Sequence, residues 1–180
     1  TELAAEDIRR GRFGKLGAET QSVCIPTCVD YGKFSCERSD APDDFLREGP
    51  IVAYVGSLNP SYEYRVSLRL AKLILDRSPN ARFLALTSQV AEMGVLVDEL
   101  GIPDDRRLIA SVGHGEIHRW LPWIDFGLML LVSPNDAKRA SMPTKLGEFF
   151  AAGVTPISYG GNSEVAEWVN RAGGGLALDD

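Results

Sequence analysis

From Ile51 onward the sequence alternates between two textures, and this alternation restricts the fold more than any other feature of the chain. The first texture is a short apolar run: "IVAYVG", "RFLALT", "RLIASV", "DFGLMLLV", "VTPIS" and "GGLALD". Between these runs lie "YEYRVSLRLAKLILDR", "QVAEMGVLVDEL", "GEIHRWL", "SMPTKLGEFFAAG" and "SEVAEWVN", which carry helical periodicity. In the first helix, Val66, Leu70, Leu73 and Ile74 recur at helical spacing, and Arg65, Arg69, Lys72 and Asp76 share another face. In the second, Val90, Met93, Val97 and Leu100 are expected to point inward, with Gly101 closing the helix. Strands without polar alternation are buried on both faces, as in a parallel sheet covered by helices on either side. Short connections and right-handed crossovers then predict an α/β fold over residues 46–180, a doubly wound, Rossmann-like parallel sheet.

Residues 1–45 do not share this beat. "TELAAEDIRRGRFGKLGAE" reads as helix and then loop, and "QSVCIPTCVDYGKF" as one short strand and a turn. "ERSDAPDDFLREGP" is polar, with prolines near both ends, and reads as a linker. The net charge of -6 offers no basic face for nucleic acid, so no nucleic-acid partner is expected. It leaves room for one small phosphorylated ligand. Cys24, Cys28 and Cys36 have no histidine nearby, so reduced, buried or half-buried thiols are expected, with no metal. No apolar run approaches the ~20 residues that span a bilayer. The expected location is cytoplasmic, with peripheral association with a membrane surface left open.

In a doubly wound sheet, ligands lie beyond the carboxyl ends of the strands. The loops there are "GSLNPSY", "TSQ", "VGHGE", "PNDAKRASMPTK" and "YGGNSE". The helix start in "SMPTKLGEFFAAG" stands out. Lys145 sits at the end of the helix that repels cations. It also precedes Glu148 by three positions, the poorer order for an intrahelical pair. Ser141 and Thr144 add hydroxyls, and Pro143 suits a first helical turn. Lysine, hydroxyls and free amides together would cradle a phosphate; a capped helix with a solvated lysine is the alternative. Gly147, inside the helix, points to close approach by a ligand or a neighbouring strand. Glu148 could accept the hydroxyls of a ribose or be an exposed acid favoured by the helix dipole. Gly56 would let backbone approach a ligand, but the turn is neither G-x-G-x-x-G nor a P-loop. His114 has no nucleophile paired with it, so no catalytic residue is assigned. Trp120 and Trp123 read as packing residues beside the fourth strand.

The succession "SVCIPTCVDYGKF", "IVAYVGSL", "PNARFLALTS", "DFGLMLL" and "SMPTKLGEFFAAGVTPISYGGNSEVAEWV" resembles the C-terminal half of GT-B glycosyltransferases. Within these it is most similar to the large retaining group-1 family (family four), of the type that builds capsular and other surface polysaccharides. The resemblance implies a domain that binds a nucleoside-diphosphate sugar as donor substrate, with no further cofactor. It implies that Glu148 matches the second glutamate of the family's E-x7-E motif, which holds the donor ribose. Met142, Pro143, Thr144 and Lys145 match the loop and helix start that meet the diphosphate or sugar. Val112 matches the position whose backbone contacts the base, with His114 close by, and Gly56 and Ser57 match the turn under the phosphates. The sequence departs from the family at Ala140, where the first glutamate would fall, and at Ser57, where an arginine would stand. Residues 1–45 would then trail from an N-terminal acceptor domain, which would bind a glycan or lipid-linked acceptor, and the chain would be a fragment of a larger enzyme. A sugar-nucleotide epimerase half and a non-catalytic nucleotide-sugar-binding module are the alternatives.

Overall fold

The computed structural model describes residues 2–12, 14, 21, 23, 28–131, 142–159 and 164–178. Its centre is a six-stranded parallel sheet in the order β3-β2-β1-β4-β5-β6. The strands are β1 (Ile51–Val55), β2 (Arg82–Leu86), β3 (Arg107–Ala110), β4 (Phe126–Met129), β5 (Thr155–Tyr159) and β6 (Leu176–Leu178). The helices are α1 (Glu2–Arg9), α2 (Tyr64–Arg77), α3 (Val90–Glu99), α4 (Ile117–Trp120), α5 (Thr144–Ala151) and α6 (Glu164–Ala172). The chain builds outward from β1 to β3, returns to the other side of β1, and continues to β6. That reversal places the topological switch between β1 and β4, paired from Val52↔Phe126 to Tyr54↔Leu128.

Every residue of β1 is buried, as its unbroken apolar run requires. Two cores result, one on each face. Tyr54, Leu68, Ala71, Leu75, Phe83, Met93 and Val97 pack under α2 and α3. Ile51, Leu121, Leu146, Phe149, Val165 and Val169 pack under α4, α5 and α6. Gly127 brings α5 onto β4: a Cβ there would lie 2.3 Å from the Phe149 ring. Trp120 and Trp123 pack against the second core, as their flanking position suggests.

The apolar periodicity of α2 misplaces its inward side. Ser67, Leu68, Ala71 and Leu75 are buried, whereas Val66 and Leu73 are 40% and 50% exposed. The helix has apolar residues over well more than half its circumference, so the sheet could take either part of that arc. In α3, Met93 and Val97 point inward as expected, Val90 is 39% exposed, and Gly101 closes the helix with φ 66°.

The polar stretch before β1 is anchored to the body of the domain. Phe34 and Leu46 are buried in the second core. Asp43 caps the 3₁₀ turn Asp44–Arg47 by accepting from the Phe45 N–H at 2.9 Å. Arg38 Nε donates to the Pro122 carbonyl at 2.9 Å, and Arg82 Nη1 to the Phe45 carbonyl at 3.0 Å. The cysteine expectation needs correction. Cys28 and Cys36 are exposed, because they sit on this irregular surface segment and not in the layered core; Cys24 lies outside the described residues. Much of the first half of "QSVCIPTCVDYGKF", the stretch in which one short strand is expected, lies outside them as well. Among the described residues no helix is long and apolar enough to cross a membrane.

Candidate functional site

β1 ends at Val55, and the chain leaves the sheet through Gly56. Gly56 has φ 131° and donates its N–H to the Leu86 carbonyl at 2.9 Å. This backbone is one that side-chain-bearing residues avoid. The space above it belongs to a lysine: a Cβ on Gly56 would lie 2.8 Å from Lys145 Nζ. The turn beyond is pinned twice. The Tyr54 hydroxyl donates to the Ser57 carbonyl at 2.6 Å, and the Leu58 N–H donates to Gln89 Oε1 at 2.8 Å. Burial, with Tyr62 and Tyr64 nearby, pushes the Tyr54 phenol up to about 12, so it stays a donor.

Across the switch, Pro143 precedes the first helical residue of α5 with φ -66°, and it is buried. The Leu146 N–H donates to the Pro143 carbonyl, and a helix start leaves its first amides without partners inside the helix. Lys145 turns inward. Its Nζ donates to the Val55 carbonyl at 2.7 Å and stands 4.2 Å from the centre of the Tyr62 ring. Burial lowers the Lys145 ammonium to about 8, against the opposing pull of Glu148. Glu148 lies one turn further in and is 9% exposed. Among the described residues nothing forms a hydrogen bond or ion pair with its carboxylate. The carboxylate opens on a cavity, so its oxygens are available to a ligand that brings hydroxyls.

These groups open into one cavity of about 320 Å³ at the carboxyl ends of β1, β2 and β3. Of the residues singled out from sequence, Gly56, Ser57, Val112, His114, Lys145 and Glu148 line it. Sequence reasoning marked the "TSQ" loop without choosing residues in it; Leu86, Thr87 and Ser88 supply the wall there, and Ile117 of α4 the floor. Their signal was position alone, directly after an apolar run. Thr144 is exposed and is not among the lining residues. Met142 lines a different cavity, of about 230 Å³, with Cys28, Val29, Tyr31, Phe150 and Trp168. Ser141, Ala140 and the "GGNS" turn lie outside the described residues. The approach that Gly147 permits is by Val29 of the N-terminal segment: a Cβ would meet Val29 Cβ and Cγ1 at 3.3 Å. Among the described residues no group of His, Cys, Asp or Glu side chains could hold a metal ion.

One wall thus presents an ammonium beside a helix start carrying about +0.5 of an elementary charge, and the next turn presents an acceptor-only carboxylate. The arrangement suits a ligand that is anionic at one end and rich in hydroxyls at the other.

No protein-family model matches the sequence, and no curated protein matches it. Solved structures do. The C-terminal domain of a glycosyl transferase group 1 family protein, LpcC of Francisella tularensis, superposes with a TM-score of 0.54 at 14% identity, over 78% of this chain and 72% of that domain. The fold is that of a GT-B glycosyltransferase domain. WaaG, a glycosyltransferase involved in lipopolysaccharide biosynthesis, superposes with a TM-score of 0.63 at 15% identity, over 87% of this chain. The pneumococcal O-GlcNAc transferase GtfA, solved with UDP and GlcNAc, gives 0.59 at 10% identity, over 88% of this chain. The present chain spans 42% of WaaG and 29% of GtfA. At these identities the likeness concerns the GT-B fold, whose neighbours here are glycosyltransferases.

Proposed function

We propose that this chain is the donor-binding half of a glycosyltransferase that moves a sugar from a nucleoside-diphosphate sugar to a glycan or lipid-linked acceptor. The observation that carries the reading is the meeting of Lys145 and Glu148 with Gly56 and Ser57 in one cavity at the strand ends. The Glu148 carboxylate accepts both hydroxyls of the donor ribose. The Lys145 ammonium and the free amides of the α5 start face the diphosphate. The backbone at Val112, with His114 beside it, borders the base. In transfer, negative charge grows on the leaving diphosphate, and a cation and fixed amide dipoles already in place stabilise it without reorganising. Residues 46–180 form this donor domain, and residues 1–45 trail from the part that receives the acceptor. A place in the making of cell-surface polysaccharide is part of the same proposal; WaaG, which shares the fold, is involved in lipopolysaccharide biosynthesis.

Titration calorimetry of the chain with UDP, GDP, ADP, TDP and pyrophosphate tests the reading. One nucleoside diphosphate is expected to bind. Glu148→Ala should weaken it by about 10- to 150-fold, the range for hydrogen bonds to a charged group, while barely changing pyrophosphate. Lys145→Gln should weaken both. Failure of all four nucleotides to bind at millimolar concentration overturns the assignment, and equal losses for nucleotide and pyrophosphate in Glu148→Ala overturn the ribose contact.

A further inference from the structure

A half-buried ammonium beside a helix start is held there against partial desolvation and against the positive end of the helix dipole. The bond to the Val55 carbonyl occupies one of the three N–H groups of Lys145. Nζ also lies over the face of Tyr62, 4.2 Å from the ring centre. That is well inside the ~6 Å over which an aromatic quadrupole attracts a cation, and desolvation strengthens the attraction. Tyr62 is delivered by unusual backbone. It ends the 3₁₀ turn Pro60–Tyr62, and Glu63 follows with φ 38° and ψ 47°. Among the described residues Glu63 is the only non-glycine residue with positive φ. L-residues avoid this conformation, and Glu63 makes no side-chain cap bond to α2 that would compensate. Its carbonyl accepts from the Ser67 N–H at 2.9 Å, so the twisted residue joins the turn directly to α2. The near end of the same turn is tied down at Ser57 and Leu58. A segment tied at its start and joined to α2 through a left-handed residue at its end is a fixed mount for the ring it carries.

We propose that Tyr62 is a positioning residue for Lys145: its ring clamps the ammonium against the end of β1, so that the remaining N–H capacity serves the anionic part of a ligand in the cavity. This rests on the reading of the cavity as a nucleoside-diphosphate site, and the test separates the two. The first arm needs no ligand. Acylation of Lys145 by N-hydroxysuccinimide acetate at pH 8 is followed by peptide mass spectrometry in the wild-type chain, Tyr62→Phe and Tyr62→Leu. Tyr62→Leu should react several-fold faster, and Tyr62→Phe, which keeps the ring face, should stay within about twofold of wild type. The second arm measures UDP and uridine. Tyr62→Leu should weaken UDP by about 2- to 30-fold, the cation–π range, and leave uridine unchanged. In a Lys145→Gln background the same substitution should cost nothing more. Unchanged acylation in Tyr62→Leu, failure of Tyr62→Phe to behave as wild type, or tighter UDP binding in Tyr62→Leu overturns the clamp. If acylation separates the variants while UDP binds to none of them, the clamp stands and the nucleotide reading falls.

Discussion

Helix α5 meets two different environments within eight residues. Toward the end of β1 it presents Lys145 and Glu148, both charged and both lining the cavity. Toward the sheet and the N-terminal segment it presents Leu146, Gly147, Phe149 and Phe150, all apolar or without a side chain. The apolar side carries the energy. Phe149 is fully buried over Gly127, and Leu146 is 1% exposed. The charged side is partly desolvated, and among the described residues its lysine meets the Val55 carbonyl, the Tyr62 ring and the charge of Glu148. One helix therefore anchors the fold with one side and, on our reading, keeps a binding site under tension with the other.

The strongest challenge to this division comes from Phe149→Ala. It should cost about 3–5 kcal/mol in denaturant unfolding, because a fully buried ring leaves a cavity above a backbone that cannot move in to fill it. Glu148→Ala should do the reverse, leaving stability nearly unchanged while removing nucleotide affinity, since among the described residues its carboxylate accepts no hydrogen bond. If Glu148→Ala unfolds the chain as readily as Phe149→Ala, the acid belongs to the scaffold and the division fails.

A middle-sized effect is expected from pH. The Lys145 ammonium is lowered from 10.5 to about 8 by burial. The unfolded chain therefore binds the extra proton between these values. From this group alone, stability rises as pH climbs from about 8 to 10.5, and the cost of burying the cation is fully present below 8. Nucleotide affinity should move in the opposite direction, because the diphosphate needs the charged form. UDP binding followed from pH 6 to 10 should be level at first and fall through about 8, and Lys145→Gln should flatten this dependence. A profile in Lys145→Gln that still falls there would assign the titration to another group.

The sequence made the charged side of α5 readable and left much of the apolar side obscure, for physical reasons. Lys145 and Glu148 conflict with an otherwise buried pattern, which marks a place where a ligand, a partner or solvent must meet charge. Gly56 ended an apolar run at a strand end, where a doubly wound sheet keeps its site. The alternating texture pointed to a doubly wound parallel sheet with helices on both faces, but it named no strand order. The inward side of α2 was not legible, because its apolar arc is too broad for periodicity to choose within it. Tyr62 gave no sign, because its contact with Lys145 depends on the left-handed turn at Glu63, which a glutamate does not advertise. Met142 entered the expected site through the family resemblance, whereas it lines the cavity beside Trp168.

The smallest effect discriminates most finely. Gly147→Ala adds a methyl on the apolar side of α5, where helix propensity favours it by about 0.5–1 kcal/mol. The new Cβ would meet Val29 Cβ and Cγ1 at 3.3 Å, so Val29 has to yield by a few tenths of an ångström. Val29 belongs to an irregular, half-buried segment outside the sheet, which can give more easily than a strand. The expected net change is under about 1 kcal/mol in wild type, rising to most of the propensity gain when Gly147→Ala is combined with Val29→Ala. UDP affinity should stay within twofold in both, since the methyl enters the side away from Lys145 and Glu148. A loss of affinity comparable to that of Glu148→Ala, without loss of stability, would show that the N-terminal segment and the cavity are coupled through α5, and that its two sides are not independent.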